Sequence, residues 1–210
     1  MSTKSENTEN KQWTEIVREE ILEKLPPEKL LPSKQPAYMA SWIYTFGVLT
    51  MSALIVVIGT GTFLAIFGPS WWHTSVVGHF VNSLHLWSVE LFFFFMVIHL
   101  WGKFFMAAWR GNRALTWMTG AVSFLASILA AFTGYVSQEN FDSQWISTQA
   151  KDGLNSVAIG SHFNVLNFGQ MITFHIAVMP AAVIVIVALH LLLVRTKGIV
   201  PPINHENKSE

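Results

Sequence analysis

The feature that most constrains this chain is the stretch from Ser83 to Arg110, SLHLWSVELFFFFMVIHLWGKFFMAAWR, long and apolar enough to cross a membrane and carrying His85 and His99 inside it. A second apolar stretch, Gly169 to Arg195, carries His175 and His190. Hydrocarbon offers no water to an imidazole, and a polar group left alone there costs several kcal/mol. Four histidines in two spans therefore need partners, and a metal is the economical one.

The spacing sharpens this. Fourteen residues separate His85 from His99, which is about 21 Å of helix axis and returns the side chain to within about 40° of its starting direction. The two face the same way at two depths. His175 and His190 are fifteen apart, about 60° on a straight helix, but Pro180 lies between them, and a proline frees a carbonyl and bends the axis. A local rewinding there puts both on one face. The pattern then allows one macrocycle between His85 and His175 and another between His99 and His190.

Composition agrees with a membrane class. Apolar residues make up 51% of the 210 and charged residues 12%, against about 25% charged in an ordinary soluble domain. The charges are segregated: residues 1–36 hold thirteen, whereas Ala37 to Val136 hold only Glu90, Lys103, Arg110 and Arg113. A net charge of zero and the lack of a basic run give no support to nucleic acid binding. With no cysteine, disulfides, iron-sulfur ligation and thioether attachment of a cofactor within this chain are excluded.

Along the chain, residues 1–36 read as a disordered polar tail followed by an amphipathic surface helix. Trp13, Ile16, Val17, Ile21 and Leu25 recur at helical spacing among Glu15, Arg18, Glu19, Glu20, Glu23 and Lys24. Prolines 26, 27, 32 and 36 end this region, and no signal-peptide core precedes residue 37, so cleavage and export are not expected. Residues 37–203 hold four expected spans, Trp42 to Phe67, Phe80 to Trp109, Leu115 to Val136 and Gly169 to Val194, each with the ~20 apolar residues a bilayer demands. A polar tail, 204–210, follows. The expected fold is thus an all-α membrane protein, a four-helix transmembrane up-and-down bundle.

Lys103, Arg110 and Arg113 flank the second connection, and Arg195 with Lys197 follows the last span. By the positive-inside rule these places and both termini are cytoplasmic. The connections Gly68 to His79 and Ser137 to Phe168 then face outside, with His85 and His175 at the outer level and His99 and His190 at the inner one.

Glycines give an independent check. Gly47 and Gly61 in the first span are fourteen apart, as are Gly120 and Gly134 in the third. Small residues let a backbone approach a flat partner closely, and this repeat puts a glycine from each flanking helix at each histidine depth.

These residues resemble the N-terminal half of cytochrome b and, in its split form, cytochrome b6 of the quinol-oxidising bc1 and b6f complexes. The resemblance runs from about Trp13 to Ile203 and rests on the surface helix, the four glycines, SLHLWS with His99 fourteen residues on, RALTWMTG at 113–120, TGY at 133–135, and VRTKGIVPP after the last span. The fifteen-residue gap in the fourth span is b6-like. The resemblance implies two non-covalent b haems with bis-histidine ligation, one on His85 and His175, the other on His99 and His190. It further implies electron passage from an outer quinol-oxidation site to an inner quinone-reduction site in the membrane of a prokaryotic cell. Implied partners are a C-terminal cytochrome b half (a subunit IV-like protein), a Rieske iron-sulfur protein, a cytochrome c-type subunit and quinone, in a homodimeric complex. By its place in RALTW, Arg113 is the candidate for a haem carboxylate contact.

There are departures. Val136, Ser137, Gln138, Glu139 and Asn140 stand where the family has a Leu-Pro-Trp-Asp-like segment after TGY, so the outer quinol site is expected to differ. Leu86 stands where b6 often has arginine, and the cysteine that holds an extra haem in b6f is absent. The Pro-Glu-Trp-Tyr motif occurs nowhere, so the chain is expected to be incomplete as a quinol oxidase by itself.

Other residues have plainer readings. Lys103 and Arg110 suit lipid-headgroup contacts as well as a site. Glu90, five residues after His85, points about 140° from the histidine face; a carboxylate in a span suits a subunit contact or proton route, or a protonated glutamate packed between helices. His73, His79, His162 and His205 read as surface histidines. The competing functions are a haem b anchor joining the quinone pool to a peripheral dehydrogenase or reductase without a Rieske partner, and a haem-free structural or transport bundle.

Overall fold

The computed structural model describes residues 12–30, 34 and 36–203; the tail expected before Gln12, Pro32, and the tail with His205 lie outside them. Two short helices, α1 (Trp13–Lys24) and α2 (Pro27–Leu30), and a 3₁₀ turn (Ala37–Ala40) lead into the long ones. These are α3 (Trp42–Thr74), α4 (Val76–Phe105), α5 (Ala114–Val136) and a last span in three parts: α7 (Phe168–Thr173), a π-turn (Phe174–Val178) and α8 (Met179–Lys197). Between α5 and α7 lies α6 (Phe141–Ser156). The four long helices are each long and apolar enough to cross a membrane. α1 buries no residue against the rest of the chain.

Two expected loops are helical. Gly68 (φ 77°) breaks α3, and Pro69, whose fixed φ suits a first helical turn, restarts it as far as Thr74. Ser75 then caps α4, its side chain accepting from the Gly78 amide. In the third connection Asn140 and Ser143 cap α6 reciprocally.

The spans associate as two antiparallel pairs, α3 with α4 and α5 with the last span, with few contacts between pairs. The glycines fix the antiparallel sense: Gly47 meets His99 and Gly61 meets His85, while Gly120 meets His190 and Gly134 meets His175. Midway between the two histidine levels Ala53, Leu54, Phe92, Met96 and Val183 form the core that joins the pairs. A second cluster of Val136, Val165 and Met171 seats the α6 connection on the end of α5.

Four hydroxyls along α5 are satisfied within their own helix. Ser123, Ser127, Thr133 and Ser137 along α5 each donate to the carbonyl four residues back. At the opposite end from α6, residues 198–201 form a strap. Arg113 Nε donates to Gly198 O (3.2 Å), Tyr38 Oη to Ile199 O (3.2 Å), Tyr44 Oη to Val200 O (2.9 Å), and Arg110 to Pro201 O. Four consecutive carbonyls are tied to the start of α3 and the α4–α5 turn.

Candidate functional site

Two span histidines come from α4 and two from the last span, each against a glycine of the neighbouring helix, and a cavity or slot opens between the helix pairs at His85 and His175. The expected rewinding is present. The π-turn contains His175 and ends just before Pro180, and it absorbs one residue that an α-register would not hold. Fifteen residues therefore act nearly as fourteen, and His175 and His190 come onto one face.

At the first level the rings of His85 and His175 stand 6.2 Å apart, centre to centre, at 83° to one another. A cavity of about 370 Å³ opens beside them, with Gly61, Phe93, Ser127 and Pro180 in its wall. That lies within the roughly 300–1,000 Å³ of pockets that enclose cofactor-sized ligands. A smaller cavity adjoins it, lined by Asn82, Ser137 and Gln138, and Asn82 Nδ2 donates to Gln138 Oε1 (3.4 Å). The segment that departs from the family pattern thus ties α4 to α5 beside the first level.

Hydrogen bonds orient three of the rings. Ala130 O lies 2.9 Å from His175 Nδ1, and Thr116 O lies 2.9 Å from His190 Nδ1. A carbonyl only accepts, so both Nδ1 atoms carry the proton and both Nε2 atoms keep a lone pair. Thr60 Oγ1 donates to Val56 O (2.7 Å), which leaves it to accept from His85 Nδ1 at 2.9 Å. Behind each ring sits a glycine. A Cβ on Gly61 or Gly47 would meet the Cε1 of His85 or His99 at 3.0 Å, one on Gly120 would meet that of His190 at 3.1 Å, and one on Gly134 would meet His175 Nδ1 at 2.8 Å. The expected flat partner of these glycines is, in the first instance, the imidazole itself.

The second level is different in kind. His99 Nδ1, Lys103 Nζ, Thr116 Oγ1 and Trp117 Nε1 are buried side-chain atoms with no hydrogen-bond partner among the described residues, and all four residues lie on the last turns of α4 or the first turn of α5. Lys103 Nζ sits 3.9 Å above the Tyr44 ring. Spacing alone does not say whether a lysine near a span end turns inward, so the sequence left Lys103 suited to lipid headgroups as well as to a site. Arg113 precedes α5 and spends its Nε on the strap. Glu90 is exposed on the outside of the bundle and His162 is exposed beyond α6.

A family model described as cytochrome b(N-terminal)/b6/petB matches residues 90–210. The chain belongs to this family. Three of the four span histidines fall in the stretch that matches the cytochrome b model, and His85 lies five residues before it. Among its relatives, cytochrome b6 of Heliomicrobium gestii is 25% identical over 80% of this chain and 89% of its own length. The menaquinol:cytochrome c reductase cytochrome b subunit of Bacillus subtilis (strain 168) is 23% identical over 91% and 92%. A cytochrome bc complex cytochrome b subunit of Chlorobaculum thiosulfatiphilum is 28% identical over 81% of this chain but only 45% of its own. In fold, the chain is similar to a chain of a hyperthermophilic respiratory Complex III, with a TM-score of 0.67 at 20% identity over 87% of this chain and 53% of that one. Four membrane-length helices and these relatives make this cytochrome b family member an integral membrane protein.

Proposed function

We propose that the chain is the cytochrome b subunit of a bc-type quinol oxidoreductase and that residues 37–203 hold two b haems, one between His85 and His175 and one between His99 and His190. The observation that carries this is the paired, glycine-backed histidines at two depths. At the first level the 6.2 Å between the ring centres leaves room for a metal that one nitrogen of each ring would hold. At the second level the buried donors match a group that brings its own acceptors, such as haem carboxylates.

Bound haem iron supplies one-electron transfer through its ferric and ferrous states. The protein holds and orients it. Thr60, Ala130 and Thr116 fix the Nδ1–H tautomer so that Nε2 faces the slot. Held by a histidine from each helix pair, a haem iron would keep no open coordination position, which would favour electron transfer over oxygen chemistry. Phe92, Phe93, Met96 and Phe124 exclude water between the levels. We assign the inner carboxylate contacts to Lys103 and Trp117 first, and to Arg113 through its remaining amino groups.

The cationic strap end is the cytoplasmic side by the positive-inside rule, so electrons run from an outer quinol site past His85 and His175 to a quinone near His99 and His190. The relatives named as cytochrome bc and menaquinol:cytochrome c reductase subunits support a bc-type complex with a cytochrome c as acceptor, and the family resemblance adds a C-terminal cytochrome b partner, a Rieske protein and a homodimer. The second reading, an anchor for a peripheral dehydrogenase or reductase, is favoured only by the altered segment Val136–Asn140. Haem content per chain in the purified complex, read by reduced-minus-oxidised spectra, tests the proposal. Two b haems in the native protein and one in His99→Ala are expected; no b haem in the native complex overturns it.

A further inference from the structure

Sequence leaves Glu90 three readings: a subunit contact, a proton route, or a protonated glutamate packed between helices. The structure removes the last within this chain: Glu90 is exposed, it lines neither cavity, and it bonds to none of the described residues. It shares its face of α4 with Trp87 (69% exposed) and Phe94 (58%), whereas the slot side of α4 carries His85, Ser88, Phe92 and Met96. Glu90 stands five residues past His85 and nine before His99, about 7–8 Å and 13–14 Å along the axis. That is mid-hydrocarbon depth. A carboxyl group facing lipid there is costly in either protonation state, because lipid tails offer no donor.

The missing partner does not come from a second copy of this chain. Apart from Glu90, the ionic side chains of Ala37 to Val136 are Lys103, buried over Tyr44, and Arg110 and Arg113, which donate to the strap, and the spans hold no Asn or Gln between the two histidine levels. Arg195 and Lys197 sit at the end of α8. A symmetric contact across this face would set Glu90 against Glu90. We infer that the Trp87–Glu90–Phe94 face of α4 docks a transmembrane helix from outside these 210 residues that presents a basic or amide hydrogen-bond donor at mid-membrane depth. Trp87 and Phe94 flank the carboxyl group and shield that bond from lipid, as an apolar rim shields a buried polar contact.

The test uses the intact complex in its own membranes and does not depend on haem. A benzophenone amino acid replaces Trp87 or Phe94, one turn to either side, with Glu90 left in place. Irradiation should give an adduct whose peptide map shows an apolar segment outside residues 1–210 with a Lys, Arg, His, Asn or Gln opposite α4. Adding Glu90→Leu should cut the yield about threefold to tenfold, the fold-change of one interhelical hydrogen bond, and Glu90→Gln should keep most of it. Both haems should persist in Glu90→Leu. Adducts with lipid alone or with a second copy of the chain, a yield indifferent to Glu90→Leu, or haem loss in that variant would each overturn the inference. A native complex without haem would sink the proposed function and leave this result standing.

Discussion

Thr60 gives its proton to Val56 O and offers its lone pairs to His85 Nδ1, so one hydroxyl both satisfies itself in an apolar helix and sets a ring's tautomer. The same residue type precedes Gly120 and Gly134, where Thr119 Oγ1 lies 3.1 Å from His190 Nδ1 and Thr133 donates to the Ala130 carbonyl that holds His175. Before Gly47 stands Phe46, and His99 Nδ1 is the one Nδ1 of the four without a hydrogen-bond partner among the described residues. Thr60→Val should therefore weaken haem retention at the His85 level about tenfold to a hundredfold, while Thr60→Ser preserves it, measured by haem loss on dialysis in detergent. The glycines give a sharper contrast. A Cβ on Gly61 meets His85 at 3.0 Å, whereas one on Gly59 meets nothing within 4 Å. Gly61→Ala should cost one haem of the two and Gly59→Ala none, by pyridine haemochrome assay. At this scale the fourteen-residue spacings were legible because side-chain direction follows from helix geometry alone. The inward turn of Lys103 was not, because a lysine stem near a helix end reaches either way.

The last span shows what an element adds to its residues. Fifteen residues between two histidines would miss by about 60° on a regular helix, and the π-turn before Pro180 removes the error. Deleting Ala177 together with Pro180→Ala should leave a plain α-helix with fourteen residues between them and keep both haems. Inserting an alanine after Ala177 instead turns His190 by about 100° and should lose one. Optical haem counting separates the outcomes. The proline and the odd spacing announced this feature in the sequence. α6 went unseen because FDSQWISTQAKDGLNS has no apolar period, although Asn140 and Ser143 stand at capping-box spacing. Gly68-Pro69 opens a connection between spans, and a proline in a first helical turn restarts a helix there.

For the whole molecule, the strap is what closes the bundle at its cationic end, since the two helix pairs touch each other little elsewhere. Tyr44→Phe removes the bond to Val200, a loss of about 0.5–1.5 kcal/mol. At about 2–4 °C per kcal/mol for a chain of this size, Tyr44→Phe with Tyr38→Phe should melt several degrees lower in detergent while the haem spectrum is unchanged. No residue type in the segment 198–201 advertised these bonds, because backbone carbonyls carry no sequence signal. The partners of the strap are far apart along the chain: Tyr38 reaches Ile199 across 161 positions and Tyr44 reaches Val200 across 156. A ribosome adding about 5–20 residues per second makes the first partner roughly 8–30 s before the last. During that interval α3 and α4 can pair and present Gly47, Gly61, His85 and His99, but the far wall of the slot does not yet exist. The bundle can be locked only after the final span leaves the insertion machinery, so nascent chains cut short of Gly198 should stay open to late cofactor entry.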